Sequence, residues 1–354
     1  MTSTRAETQK ITVMAVHAHP DDETLWTGLA LAKARRLGHD VAVVTCTLGE
    51  EGEVIGEKYQ ALVDAQQYEH GTGMLGGYRI AELQRALNAL GVQHGPNLLG
   101  GCGAWRDSGM EGSESIRHPR AFARETEAGQ GLLDTQVEQL IQQIQRIRPE
   151  VILTYAADGG YGHPDHKQAH RIVHEAVRRL SSVAAAADRA GADVFVPSQV
   201  LWCVTEEEKF AEGMQGLEED PAAVPEGWTL PAAGEIATVP SVEVDLVIHG
   251  TAEDVAAKQA AMRAHATQIW VADGTASDVN DQVRDSNPPA PTATTLFCLS
   301  NLITQPLLNS ESYRLGWTAP GVPEDFFARA LGESWSETAG HLGPTPRGLG
   351  GPTG

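Results

Sequence analysis

Residues 11–47 read ITVMAVHAHPDDETLWTGLALAKARRLGHDVAVVTCT, and their order decides the class of fold. Residues 11–16 are an apolar run of strand length. Residues 24–37 carry Leu25, Leu29, Ala32 and Arg36 at helical intervals and stop at Gly38. Residues 40–47 are a second apolar run. Strand, helix and strand in so short a span make a βαβ unit, which needs a parallel sheet covered on both faces. The pattern recurs: 80–90 and 132–147 read as helices, 151–155 (VILTY) as a buried strand, 165–180 as a helix and 200–204 as a strand. The expected class is α/β, a Rossmann-like, mostly parallel sheet with helices on both faces, plus a smaller irregular α+β C-terminal part.

The second half is less regular. Segments 181–193 and 215–236, rich in Ala, Gly, Pro and Glu, read as loops, and 239–248 alternates like an exposed strand. Residues 252–265 form an amphipathic helix, and the polar, three-proline stretch 272–295 is a loop. We therefore expect a catalytic domain over 9–205 carrying the metal site. A C-terminal portion over 206–335 packs on it and closes the cleft, and 336–354 is a disordered Gly/Pro tail.

Composition narrows the function. The chain has 354 residues, 26 basic and 47 acidic, for a formal net charge of −21. That surface repels phosphate backbones and anionic lipid, so nucleic-acid and membrane partners are disfavoured and a small neutral molecule or another protein is favoured. No stretch reaches the ~20 apolar residues of a membrane span, and the polar N-terminus lacks a signal-peptide pattern, which makes a cytoplasmic location the default. Cys46, Cys102, Cys203 and Cys298 form no C-x-x-C pair and read as reduced thiols. The sequence carries no signal for oligomeric state.

Two motifs carry chemistry. His19-Pro20-Asp21-Asp22-Glu23 directly follows the first strand, at the sheet edge where open parallel sheets bind ligands. Imidazole nitrogen and carboxylate oxygen are ordinary zinc ligands. Pro20 stiffens the turn, so His19 and Asp22 can meet on one ion while Asp21 points elsewhere. The same residues also suit a helix start, with Asp21 or Asp22 as N-cap and Glu23 on the dipole. Tyr161-Gly162-His163-Pro164-Asp165-His166 follows VILTY in the same way. His166 can supply a third ligand, which leaves His163 free. Asp165 can then accept from a ring nitrogen of His163, fixing its tautomer and raising its pKa. Both motifs follow predicted strands of one sheet, so they converge as a two-histidine, one-carboxylate centre with positions left for water and substrate. Zn2+, one per subunit, is the expected cofactor, and Fe2+ accepts the same ligands.

Other segments border this cleft. The loop 48–53 (LGEEGE) offers carboxylates to sugar hydroxyls or is a plain solvated loop. Arg79 and the stretch Trp105-Arg106-Asp107-Ser108-Gly109 offer forked donors, a carboxylate and an aromatic face. Residues 71–76 (GTGMLG) fit G-x-G-x-x-G by letter but follow no strand, so they are read as a loop rather than a dinucleotide fingerprint. His265, at the end of its helix, reads as a packed or capping histidine.

The two motifs together resemble the LmbE-like, PIG-L-type deacetylase family. The blocks at 45–57 (TCTLGEEGEVIGE), 76–83 (GGYRIAEL), 105–110 (WRDSGM), 159–166 (GGYGHPDH) and 264–268 (AHATQ) are similar to its mycothiol-pathway branch. The resemblance spans about residues 10–270 in blocks. It implies hydrolysis of the N-acetyl group of 1D-myo-inositol 2-acetamido-2-deoxy-α-D-glucopyranoside, a small amino-sugar substrate. It also implies residue roles. His19, Asp22 and His166 match the metal ligands and Asp21 the general base. His163 matches the acid or oxyanion stabiliser, Asp165 its orienting partner, and Tyr161 a mobile tyrosine that polarises the carbonyl. Arg79, Asp107 and Glu53 match substrate-binding positions. One departure is Ala156 directly after the strand tyrosine, where related enzymes often carry a polar residue. Amide cleavage of a mycothiol S-conjugate by the same centre, metal-bearing carbohydrate binding without turnover, and a Rossmann-type oxidoreductase, weakened by the failed glycine fingerprint, are the alternatives. Against the second stand Asp21 and His163, which a purely structural metal site does not need.

Overall fold

The opening strand–helix–strand unit forms as its hydrophobic pattern requires. In the computed structural model, which describes residues 10–64, 74–124, 129–187, 193–276 and 284–336, β1 (Thr12–His17) and β2 (Asp40–Thr45) pair in parallel through the crossover helix α1 (Asp22–Arg36). The chain continues through α2 (Ala61–Asp64), α3 (Met74–Ala89), β3 (His94–Leu98), α4 (Gly129–Ile147), β4 (Val151–Tyr155), α5 (Pro164–Ala187) and β5 (Gln199–Val204). The remainder contributes α6 (Glu207–Met214), β6 (Leu246–His249), α7 (Ala252–Ala264), β7 (Trp270–Val271), β8 (Ala293–Cys298), β9 (Gln305–Leu308), β10 (Ser310–Thr318) and α8 (Phe326–Leu331).

Seven strands form one sheet in the order β3-β2-β1-β4-β5-β10-β6. The first five run parallel, and β10 lies antiparallel between β5 and β6. β7, β8 and β9 make a separate antiparallel sheet. The class is α/β with a smaller C-terminal sheet. Strand order reverses between β1 and β4. Right-handed crossovers therefore place α1 and α3 on one face and α4 and α5 on the other, and leave a crevice at the carboxyl ends of β1 and β4. β1, β2 and β4 are buried almost throughout, which is why they read as continuous apolar runs.

Several expectations need correction. Of 239–248 only the last three residues are strand, the start of β6, because Pro240 starts a tight 3-10 turn over Ser241–Glu243. The loop expected from 181 is helical to Ala187, since Ser181–Ser182 and the alanines after Val183 contain no breaker. β3, with Gly95 and Pro96 inside it, was not assigned from sequence; it sits at the sheet edge, where proline is tolerated. Residues 71–73 and 337–354 lie outside the described residues. No helix among the described residues is long and apolar enough to cross a membrane.

A buried ion pair fastens the late elements to the first unit. Lys258 Nζ on α7 donates to Glu311 Oε1 on β10 at 2.7 Å and to the Leu25 carbonyl on α1 at 3.1 Å. Glu311 also accepts from the Leu29 and Ala30 amides of α1, at 2.8 and 2.9 Å, and from the Tyr313 hydroxyl at 2.8 Å. Its oxygens are thus fully used, the condition under which a buried carboxylate is tolerable. Lys258→Met leaves that carboxylate without its cation, and urea titration should show a loss of about 3–5 kcal/mol; a loss under about 1 kcal/mol would match an exposed pair and refute this junction.

On α5, His174 Nε2 accepts from Trp202 Nε1 at 2.8 Å. Burial, then the neighbouring His170, pushes its pKa from 6.5 down to about 3. The unfolded chain takes up this proton first, so the contribution is complete above pH 6.5 and is lost as pH falls towards 3. Between about pH 7.5 and pH 5 the wild type should lose about 2 kcal/mol more stability than His174→Phe. Parallel pH profiles for the two proteins in urea titrations would contradict the assignment.

Candidate metal centre

Both histidine–proline–aspartate turns leave the carboxyl ends of adjacent strands, the first from β1 and the second from β4, so the sheet brings them together. In the first turn Asp21 has φ 127° and ψ −32°, a conformation that side chains rarely adopt and that costs ~1–3 kcal/mol. Its carbonyl starts α1 by accepting from the Thr24 and Leu25 amides at 2.9 and 3.0 Å, while its side chain makes no cap bond. The unusual backbone separates the two neighbouring carboxylates. Asp21 Oδ2 takes Arg79 Nη2 at 3.0 Å, whereas Asp22 Oδ2 accepts the His19 amide at 2.8 Å.

Asp22 lies between two imidazoles. Its Oδ2 is 3.4 Å from His19 Nδ1 and its Oδ1 is 3.4 Å from His166 Nε2. His166 is fully buried, and its Nδ1 lies 3.0 Å from the Gly159 carbonyl, to which it donates. That bond places the proton on Nδ1 and leaves Nε2 as a bare acceptor; Nε2 is buried with no hydrogen-bond partner among the described residues. An orphaned imidazole lone pair beside a carboxylate and a second imidazole fits a divalent cation. Tyr155 stacks on the His166 ring at 4.0 Å and its hydroxyl accepts the Ala18 amide at 2.9 Å, so it braces both turns. Gly159 is required here: at φ 74°, its Cβ would stand 2.8 Å from that of His166.

The same pocket gathers more donors than the expected three. One nitrogen each of His19, His163 and His166 lie within 4.8 Å of one another, as do one atom each of His19, Asp107 and Asp165. His19 Nε2 faces Asp165 Oδ2 at 3.3 Å and Asp107 Oδ1 at 3.5 Å. Burial opposes the protonation of His19, but Asp107, Asp165 and Asp22 outweigh it and raise the pKa well above 6.5.

The bond expected from His163 to the Asp165 carboxylate is absent. His163 Nδ1 instead accepts the Asp165 backbone amide at 3.1 Å, because Asp165 opens α5 and its free amide points back. The carboxylate is drawn inward by the Ser108 amide, which donates to Oδ2 at 3.0 Å. His163 accordingly carries its proton on Nε2. Burial, then His19 and His166, lowers its pKa to about 3 rather than raising it. Asp21 moves the other way, up to about 6, by burial against the pull of Arg79.

The remaining expected residues are placed unevenly. Asp107 borders the cluster, held by the Gly109 amide at 2.8 Å and the Glu51 amide at 3.3 Å. Arg79 is buried beneath the loops, where it donates to the Pro20 and Gly49 carbonyls as well as to Asp21. A side chain at Gly49 would collide with that guanidinium. Tyr161 is 49% exposed, with its ring centroid 5.0 Å from that of His166. The Glu53 side chain is exposed, and its carbonyl accepts from Gln268 Nε2 at 3.0 Å. Sequence reading gave Tyr155 no role and Ser108 none of its own, although they act here through a ring face and an amide, and it read Glu23 as favouring the helix dipole and His265 as a packed or capping histidine.

This centre on a doubly wound sheet defines a class, the metal-dependent N-deacetylases. Residues 14–177 match the family described as PIG-L, GlcNAc-PI de-N-acetylase, and the chain belongs to that family. It is 91% identical over 333 residues to the 1D-myo-inositol 2-acetamido-2-deoxy-alpha-D-glucopyranoside deacetylase of Corynebacterium jeikeium, covering 94% of this chain and 99% of that protein. A protein of the same name from Corynebacterium urealyticum is 52% identical, over 88% of this chain and 86% of its own. A third, from Corynebacterium diphtheriae, is 44% identical over 88% and 95%.

A cation that binds only the folded protein must stabilise it, by about 4 kcal/mol at a thousand times its Kd. Adding zinc to chelator-treated protein should therefore raise Tm, and His166→Ala should abolish the rise. An unchanged shift in the variant would exclude His166 as a ligand.

Proposed function

We propose that His19, Asp22 and His166 hold one zinc ion per subunit, and that this centre removes the acetyl group from 1D-myo-inositol 2-acetamido-2-deoxy-α-D-glucopyranoside. The observation that carries the metal reading is the bare, buried Nε2 of His166 beside the Asp22 carboxylate that also faces His19. The substrate reading is supported by the name of the 91% identical relative, matched over nearly its whole length. Nitrogen and oxygen donors without sulfur suit zinc and Fe(II), and zinc is the simpler choice for hydrolysis.

A cation bound there would supply Lewis acidity to the amide carbonyl and to the attacking water. The chain supplies the rest. Asp21, whose pKa lies near 6, accepts the proton of the attacking water and can return it to the leaving amine. His163 stays neutral and offers its Nε2–H to the developing oxyanion. Asp165 positions the cluster through its contacts with His19, Ser108 and the ring of His163. Tyr161, between Gly160 and Gly162 at φ 80° and 91°, is free to swing towards the carbonyl. Asp107 and Glu53 face the sugar hydroxyls, while Arg79 serves the substrate by holding the loops that bear Asp21 and Gly49. The portion 206–335 closes the cleft: its Gln268 and the Thr267 carbonyl both reach the 53–55 loop. A cytoplasmic setting is supported by four free cysteines.

Two assays test the reading. Acetate release from the pseudodisaccharide should vanish with chelator and return with zinc, and should exceed cleavage of a mycothiol S-conjugate; the reverse preference would assign the amidase activity, and no turnover of either a binding role. Asp21→Ala should keep its metal while kcat falls by at least about 100-fold. Full activity in that variant would remove Asp21 as the base.

A further inference from the structure

Glu23 and His265 are separated by 242 residues and are both fully buried against each other. His265 Nε2 stands 2.6 Å from Glu23 Oε1, and His265 Nδ1 has no partner among the described residues, so Nε2–H is the donor. The other carboxylate oxygen, Glu23 Oε2, accepts the amide of Asp21 at 3.0 Å. Neither side chain has a part in the chemistry above. Burying such a pair is expensive, and the bonds that open α1 do not call for it, since the Asp21 carbonyl already accepts the amides of Thr24 and Leu25. What the pair does touch is the one residue of the turn with a strained backbone.

Rare backbone conformations persist only where the surroundings over-determine them. Asp21 is held from two sides: Arg79 grips its carboxylate and Glu23 its amide. Glu23 is in turn held by His265, the C-cap residue of α7. The segment that follows fixes other walls of the same site. Thr267 donates through its amide and hydroxyl to Glu82 on α3, at 2.9 and 2.6 Å, and its carbonyl accepts the Ile55 amide at 3.0 Å.

We propose that the Glu23–His265 pair positions Asp21, fixing its amide and so the direction in which its carboxylate meets the attacking water. This rests on the reading of Asp21 as the base. The pair acts through Asp21 and touches neither substrate nor metal.

Zinc-loaded His265→Ala should keep one metal per chain and a KM within about two-fold of wild type, because binding is untouched. Its kcat should fall about 100-fold, the effect of displacing a reacting group by ~1 Å. His265→Gln, whose side-chain amide reaches the place of Nε2, should restore most of kcat, whereas His265→Asn, which reaches only that of Nδ1, should not. If His265→Ala does not fold, the Gln and Asn variants alone decide the matter. Wild-type kcat in folded His265→Ala, equal kcat in the Gln and Asn variants, or a loss explained by missing metal or raised KM would each overturn the proposal. An active Asp21→Ala would defeat the base reading itself, whereas an inactive Asp21→Ala beside a fully active His265→Ala would defeat the positioning role alone.

Discussion

The adjacency of β1 and β4 is the constraint on which the candidate metal centre depends. His19 and Asp165 are 146 residues apart in sequence and meet because two parallel strands lie side by side where the strand order turns back. Neither loop can assemble the donor set alone. The fold also makes the site rigid: Tyr155, the last residue of β4, stacks on His166 and accepts an amide from the loop after β1. A shift of one strand against the other would part the imidazoles and uncover polar groups that the pocket holds out of water.

Charge placement follows from the same geometry. Asp21 and Asp22 are neighbours in sequence, yet Asp22 is held well below the usual carboxylate range, burial notwithstanding, by His166 and His19, while Asp21 rises to about 6. At Asp21 burial outweighs the pull of Arg79, whereas at Asp22 the two imidazoles outweigh burial. Two carboxylates with separated affinities for protons suit a reaction that needs one fixed ligand and one proton acceptor.

The parallel half of the sheet was legible because β1, β2, β4 and β5 are apolar runs separated by helical periodicity, and the histidines and aspartates stand directly after two of them. Of the antiparallel additions to that sheet, β6 fell within a stretch read as strand and β10 did not. β10 reads SESYRLGWT, with buried Glu311 and Ser312 where a core strand ordinarily shows aliphatic residues, so its place inside the sheet has no signature in its own letters. The site divided in the same manner. Residues proposed to act by side-chain chemistry, such as His19, Asp22 and His166, could be picked out by motif spacing. Contributions made through the backbone, such as the Ser108 amide on Asp165 and the Asp165 amide on His163, depend on torsions that no spacing encodes. His265 fell between the two: its type was visible, but its partner Glu23 is a long-range contact.

The position of β10 has a consequence for how the molecule comes into being. It is the last strand of the large sheet in sequence, yet it lies between β5 and β6 and supplies Glu311 to the middle of α1. As the chain leaves the ribosome, the outer edge of β5 stays unpaired for more than a hundred residues of synthesis, and β6 has no neighbour in that sheet at all. An open strand edge on a hydrophobic sheet invites pairing with other chains. The nascent protein is therefore most in need of a chaperone between the emergence of β5 and that of β10, and a message truncated before β10 yields an adhesive fragment rather than a smaller enzyme.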